Sequence, residues 1–176
     1  MSVSDISVKP MSVLWNGTDL GSTQGGVEVS LETSSVDITT DQGGANILDS
    51  FQNGLTLSLS IEILELNSAN YNSMIASTIG DSFTPTEGGT HTVLGVSQNF
   101  TSMLGKAQVL ELRPVGETAS GNSWTFWKAC PTPSSLSFAA DNASSMTVEF
   151  KIFPDSSKVE EAQLGVLGDN TKTYTP

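Results

Sequence analysis

The sequence has little positive charge. Six lysines and a single arginine, Arg113, stand against 19 acidic residues, which gives a formal net charge of −12 over 176 residues. Binding nucleic acid requires a patch of cations that displaces phosphate counterions, and here the basic residues are scattered along the chain. No mostly apolar run approaches the ~20 residues that span a bilayer, and the first ten residues lack a signal-like pattern. We therefore expect a soluble protein, made in a cytoplasm, that neither binds nucleic acid tightly nor inserts into a membrane.

Residues that usually carry out chemistry are equally scarce. The one cysteine, Cys130, excludes an intrachain disulfide, and the one histidine, His91, follows a Gly-Gly pair as an exposed hairpin residue would. Zinc needs four nitrogen or sulfur ligands, and neither phosphate-binding glycine motif occurs. Cys130 has no second histidine to pair with, so an inert thiol, buried or half-buried, is the better interpretation. The sequence thus predicts no enzyme, no cofactor and no structural metal.

What is abundant is polar and small. The chain contains 26 Ser, 19 Thr, 10 Asn and 16 Gly. Serine, threonine and asparagine compete with helical hydrogen bonds, and threonine suits a pleated surface. Such a composition favours strands and turns within one domain, since a chain of ~150 residues buries enough surface for a real core.

Apolar residues alternate with polar ones in several segments, which is the period of a half-buried strand. The clearest runs from Leu55 to Ile63, and Val27 to Leu31 repeats it. Further predicted strands and strand pairs are 13–15 with 19–20 across Asn16-Gly17, 109–115 with 124–128, and 136–138 with 146–152. One helix is predicted over Asn67 to Ser77. The predicted fold class is therefore mostly β, an antiparallel sandwich or barrel with one flanking α-helix.

Two further stretches, Ser34 to Asn53 and Asp81 to Phe100, do not fit the core pattern. Ser34 to Asn53 is predicted to be a long loop, and long loops in compact domains are often functional. Its aspartates Asp37, Asp41 and Asp49 are too loosely spaced for a clear calcium motif, so a weak divalent-cation site stays an alternative to solvated carboxylates. The domain is placed at residues 1–155, with a C-terminal extension at 156–176 that has few large apolar residues.

The order of these segments resembles that of the tail tube proteins, or major tail proteins, of tailed bacteriophages of the long-tailed type. The resemblance covers most of the chain. Its parts are Leu14-Trp15-Asn16-Gly17 with Leu20-Gly21, the 27–31 strand, Ile38-Thr39-Thr40-Asp41 leading to Asp49, the 54–66 strand, 124–129, Pro131, 136–138 and 146–154. No C-terminal motif of the family is recognisable.

The resemblance implies that six copies form a ring whose inner strands join into one barrel, and that rings stack into a helical tube. It also implies that the loop between the early strands reaches the neighbouring ring. The loop residues matched in this way are Asp37, Thr40, Asp41, Gln42, Asn46 and Asp49. Tape measure, tail terminator and baseplate or tip proteins are the implied partners. The implied location is the tail of the virion, after assembly in the host cytoplasm.

A tube that conducts a genome should repel phosphate. Acidic and hydroxyl side chains do so, whereas lysine or arginine would retain the DNA. The residues predicted to line the lumen are the acidic ones on the polar faces of the strands: Glu28, Glu32, Glu62 and Glu149. An outer, solvated face is the alternative position for them.

Two other functions remain open at this stage. One is a soluble β-sandwich module that stacks sugars on Trp124 and Trp127, although core or subunit contacts are the more common role of such aromatics. The other is a capsid decoration or head-tail completion protein, which would form closed rings but no filaments.

Overall fold

A computed structural model of the chain describes residues 10–41, 46–64, 74, 80–83, 91–94, 99–116, 123–138 and 143–168, with backbone alone at 80–83 and 91–94. Most of these residues form strands. The strands are β1 (Met11–Trp15), β2 (Thr18–Asp19), β3 (Thr23–Thr39), β4 (Ile47–Ile63), β5 (Gly80–Phe83), β6 (His91–Leu94), β7 (Gln108–Pro114), β8 (Trp124–Ser137), β9 (Ser145–Phe153) and β10 (Gly165–Leu167). A short helix α1 (Met103–Lys106) and a 3₁₀ turn (Glu160–Ala162) complete the described elements.

Eight strands form one antiparallel sheet in the order β2-β1-β7-β8-β9-β4-β3, and β10 pairs with the start of β8. The strands β5 and β6 form a separate hairpin. Because β1 contacts β3 near the opposite edge of the order, the main sheet curves around its own apolar face. The predicted mostly-β, antiparallel class is confirmed, and the layer is a single curved sheet.

The core lies on the inner face of this curved sheet. It follows the alternation seen in the sequence, because residues at every second position of a strand share a face. The strands β1, β4, β7, β8 and β9 each contribute two or more buried apolar side chains, and Leu20 and Met74 add to them, while Val27 and Val29 of β3 are partly buried against the cluster. The buried apolar set from the strands is Val13, Trp15, Leu57, Leu59, Ile61, Ile63, Leu110, Leu112, Phe126, Ala129, Met146, Val148, Phe150 and Ile152.

Local turn chemistry explains the first hairpin. Asn16 and Gly17 both have positive φ, of 51° and 75°, as a two-residue turn of the favoured mirror-image type requires. Trp15 pairs with Thr18 across this turn, so the predicted hairpin is confirmed. The pairings of β7 with β8 and of β8 with β9 are confirmed as well, including Leu136 opposite Met146.

The predicted loop from Ser34 to Asn53 is wrong. Apart from its tip, this segment continues β3 and β4 as one long hairpin, in which Ser34 lies opposite Gly54 and Thr39 lies opposite Ile47. These strands are not recognisable from the sequence, because the apolar alternation of residues 27–31 is followed by polar residues. The backbone ladder nevertheless continues, because Asn53 is accommodated as an extra, bulged residue whose side chain accepts a hydrogen bond from the Ser34 hydroxyl.

The helix predicted over Asn67 to Ser77 lies outside the described residues, except for Met74, which is helical and fully buried. The short helix α1 begins after Ser102, whose hydroxyl accepts a hydrogen bond from the Gly105 amide, and it contacts β8. No helix among the described residues is long and apolar enough to cross a membrane.

Two long strand edges have no ladder partner among the described residues. One is β3, at the end of the sheet. The other is the second half of β8, which pairs with β9 on one side but extends beyond the last β7 pair at Ala129. This second edge contains Pro131 and Pro133, which have no amide hydrogen to donate.

The residues assigned to a C-terminal extension contribute to the main sheet. After β9, the chain turns back and β10 pairs with Trp124 to Phe126 of β8. The two strands approach so closely that a Cβ built on Gly165 would lie 2.3 Å from the Thr125 carbonyl oxygen. Only glycine fits at this position.

We therefore expect Gly165→Ala to lower the free energy of unfolding by about 1–3 kcal/mol, because the added methyl group forces β10 away from β8. Chemical denaturation followed by tryptophan fluorescence measures this. Gly105→Ala is the matched control, since its Cβ would meet nothing closer than 3.9 Å. Equal stability of the two variants would show that β10 adapts without cost.

Candidate functional site

The four glutamates predicted to line a lumen share one face of the sheet. In β3, Glu28 lies opposite Ser60 of β4, and Ser60 lies opposite Glu149 of β9. Residues paired in this way project to the same side. Glu32 lies four residues after Glu28 on β3, and Glu62 lies two residues after Ser60 on β4. Because side chains alternate between the two faces of a strand, both glutamates project to that same side. We call this surface the carboxylate face; it is opposite the core.

Hydroxyl groups fill the carboxylate face between its acids. They belong to Ser30, Thr56, Ser58, Ser60 and Thr147, which occupy the alternate positions of β3, β4 and β9. Glu28 and Glu149 are separated by one strand, hence by ~9.5 Å in the hydrogen-bonding direction. At this spacing each carboxylate keeps its own hydration, and Glu28, Glu32 and Glu149 are exposed. Glu62 is half-buried and accepts a hydrogen bond from the Ser145 hydroxyl.

Cations are scarce on this surface. Lys151, opposite Ser58, is the one basic side chain in the whole of β3, β4 and β9. Arg113 lies on β7 and is paired with Glu111 of the same strand. The face therefore presents acceptor oxygens and negative charge along three adjacent strands, a surface that phosphate has no means of binding tightly.

The hairpin beyond the sheet forms a projecting arm. The strand β9 pairs with β4 from Ser58 to Ile63 only, so residues 47–57 and their β3 partners extend past it. At ~3.3 Å per residue this arm, defined as residues 31–57, reaches ~36 Å. It contains the residues predicted to contact a neighbouring ring.

The structure does not bring those polar residues together. Asp37 lies opposite Ser50, while Asp49 lies opposite the next residue, Ile38, so the two aspartates project from opposite faces of the arm. Thr40, Asp41 and Asn46 are exposed near the tip, and Gln42 lies outside the described residues. Within the described parts of the chain, no three metal-binding side chains converge. Their role between rings stays a prediction.

Sequence reasoning missed the apolar side chains of the arm. Val36 lies opposite Phe51, and Ile38 follows Val36 on the same face; their exposed fractions are 53%, 56% and 44%. This arm triad is out of phase with Val29 and Leu31, because even-numbered residues of β3 project away from the core side. The alternation of Val36 with Ile38 was the available signal.

An apolar groove lies at the base of the arm. It has a volume of about 330 Å³ and is bounded by the arm on one side and the C-terminal segment on the other. Its apolar walls include Leu31, Leu55, Leu57, Trp124, Leu164 and Val166, and the carboxylates of Glu160 and Glu161 line it as well. The groove exists because β10 returns to β8, which no periodicity in the sequence indicates.

The tryptophans do not form a common platform. Trp124 packs at 6.2 Å from Phe126 and borders the groove. The indole of Trp127 donates a hydrogen bond to the Ala162 carbonyl, and the Lys158 ammonium lies 4.3 Å from the centre of its ring. One face of Trp127 is thus occupied by the chain itself.

The prediction that Cys130 is buried is confirmed. It has no exposed surface, and burial raises the pKa of its thiol above the ordinary value, against weaker opposing effects of Lys106 and Lys151. A neutral thiol is a poor nucleophile. His91 begins β6, and its side chain lies outside the described residues.

A comparison with models of protein families and with curated proteins finds no match in either.

Thiol chemistry tests the description of Cys130. We expect a disulfide-exchange reagent at pH 8 to label the native protein at least about 100-fold more slowly than the denatured one, because the site must open before a thiolate forms. Because the folded pKa is raised, the unfolded chain releases the proton first. Stability should therefore fall as the pH rises above the ordinary thiol pKa of ~8.5. Cys130→Ala should lack this alkaline component; rapid native labelling would contradict the buried assignment.

Proposed function

We propose that this chain is the structural subunit of a phage tail tube. Six copies form a ring, rings stack into a tube, and the tube conducts the genome during ejection. The subunit has no catalytic role in this proposal. It acts in the virion tail after assembly in the host cytoplasm, and its further partners are the tape measure, terminator and tip proteins.

The carboxylate face is the observation that carries the proposal. Three adjacent strands present Glu28, Glu32, Glu62 and Glu149 with hydroxyls between them and a single lysine. If this face lines the lumen, the passing DNA meets no cluster of cations that would displace its counterions and bind its phosphates. The DNA therefore moves with little friction. An enzyme or a binding module has no use for a wide acidic surface without a pocket or a partner cation.

The free strand edges support assembly into a ring. Nothing in the described part of the chain pairs with the outer edge of β3, a strand of 17 residues, and soluble monomers normally cover or shorten such edges. Joining β3 of one copy to the second half of β8 in the next would extend the β8-β9-β4-β3 sheet around a closed circle. The carboxylate face would then be continuous from copy to copy.

The arm supports stacking. It projects ~36 Å past β9 and so reaches beyond the sheet of its own subunit, toward the position that a stacked ring would occupy. Its tip carries Asp37, Thr40, Asp41, Asn46 and Asp49, the residues proposed to contact the neighbouring ring. A two-stranded ribbon exposed on both faces is only marginally stable in water, so an arm of this length needs a surface to rest on.

Negative-stain electron microscopy of the purified protein over a concentration series tests the proposal. We expect hexagonal rings with a central hole and, at higher concentration, hollow filaments. Closed rings that never lengthen would favour a capsid decoration or head-tail completion protein. A monomer that stays a monomer when added to tail tips carrying the tape measure would contradict the tube.

The lumen assignment has a separate test. Replacing Glu28 and Glu32 with lysine leaves the core untouched, so rings should form, but DNA ejection from intact tails should slow about tenfold because lysines hold phosphates. The double glutamine variant is the matched control, since it removes the negative charge without adding a positive one, and it should eject nearly as fast as the unchanged protein. Equal ejection rates for the lysine and glutamine variants would refute a lumenal position.

A further inference from the structure

We propose that the arm triad of Val36, Ile38 and Phe51 docks into the groove at the base of the arm of a second copy of this chain. The inference rests on the proposed assembly of copies, and it names the surface that receives the arm. It concerns apolar side chains, whereas the ring-contact prediction concerned polar ones.

The arm triad is an apolar patch that no other part of the described chain covers. Val36 and Phe51 are directly opposite each other in the ladder, and Ile38 is the next residue of β3 on the same face. The three side chains therefore form one continuous patch. About half of each side chain is exposed. Clustered exposed apolar residues on a soluble protein mark an interaction surface, and an aromatic residue at the centre is typical of the residues that dominate binding.

The groove is a receptor of matching chemistry. Leu57 lies at its base and is buried, while Leu31 and Leu55 are 58% and 41% exposed. Trp124, Leu164 and Val166 complete the apolar walls. A volume of about 330 Å³ admits an aromatic ring together with an aliphatic neighbour, and a drug-sized ligand would find it small.

Geometry requires that the occupant come from another copy. Leu31 and Leu55 face the core side of the hairpin, whereas the arm triad faces the opposite side and lies five residues, or ~17 Å, further along β3. The arm cannot fold back into a groove that its own strands form. An arm from one copy and a groove from the next make a head-to-tail contact, which leaves a free arm and a free groove at the ends of any assembly.

The contact area approaches that of a stable complex when both faces of the arm are covered. A two-stranded ribbon ~10 Å wide and ~36 Å long covers ~350 Å² on each face, hence ~700 Å² if both faces are covered. Specific complexes bury about 800 Å² on each partner. An arm that inserts between the groove and an adjoining surface approaches this value, and an isolated side-chain contact would not.

Charge predicts how docking responds to salt. The groove carries Glu160 and Glu161, and the arm carries Asp37 and Asp49, so both partners have the same sign at their rims. Salt screens this repulsion while it leaves the apolar contact intact. Docking should therefore strengthen between ~20 mM and ~500 mM NaCl, opposite to an interface held by ion pairs.

Photo-crosslinking tests the proposal. A benzophenone analogue of phenylalanine replaces Phe51, and light-isotope and heavy-isotope chains are mixed before irradiation, so that mass spectrometry separates intermolecular adducts from internal ones. We expect mixed-isotope adducts to residues 160–167 or to Trp124, with a yield that rises with salt. The same analogue at Gln52, on the other face of the arm, is the matched control and should give at least about fivefold fewer of these adducts.

A groove variant provides the second measurement. Leu31→Asp alters an exposed wall of the groove and should lower the yield of groove adducts at least about tenfold. Val115→Asp is its control, because Val115 is 57% exposed, close to the 58% of Leu31, but it follows β7 and does not line the groove. Circular dichroism verifies that both variants are folded.

Three outcomes would overturn the inference: adducts within one chain, adducts to a second copy outside the groove, or, in purified tails, adducts to a different protein. A lack of any intermolecular adduct at the highest soluble concentration would overturn it too. The results also separate this inference from the proposed function. Groove adducts in closed rings without filaments would support the docking and contradict the tube, whereas normal tubes of Leu31→Asp would do the reverse.

Discussion

The hydrogen-bonded ladder between β3 and β4 is the constraint on which the rest of this structure depends. It alternates side chains between two faces along two strands of 17 residues. Over its first half, the ladder places apolar residues in the core and glutamates on the opposite face, where β9 extends both surfaces. Over its second half, the same ladder leaves the sheet and becomes the arm. The core, the carboxylate face and the projecting hairpin are thus three consequences of one pairing.

The bulge at Asn53 shows how this ladder combines two functions. Without the bulge, Phe51 would lie on the same face of β4 as Leu55 and Leu57, which is the core side. Asn53 adds one residue to β4, so Phe51 falls on the opposite face, together with Val36. The apolar side chains of the arm therefore lie on the core-side face near its base and on the opposite face nearer its tip. One inserted residue thus lets a single hairpin present apolar side chains to its own core and, further along, to solvent on the opposite face.

The sequence predicts the parts of this structure that depend on period two. The hairpin at Asn16-Gly17, the strand pairs of β7, β8 and β9, and the common side of Glu28, Glu62 and Glu149 all follow from alternation and turn residues. The arm was not predictable in the same way, because serine, threonine and aspartate dominate it and only long-range pairing keeps it extended. The groove depends on the close approach of Gly165 to Thr125, which joins segments forty residues apart. No local pattern encodes such a contact.

The two prolines of β8 make its free edge different from that of β3 in the hydrogen-bonding groups it offers. Pro131 and Pro133 offer carbonyl oxygens but no amide hydrogens, whereas none of the 17 residues of β3 is a proline. Two β8 edges brought together would lack amide donors at these two positions, whereas every residue of β3 has an amide hydrogen. The two edges of the sheet are therefore unlike, and a β8 edge finds a fuller set of donors in a β3 edge than in another β8 edge.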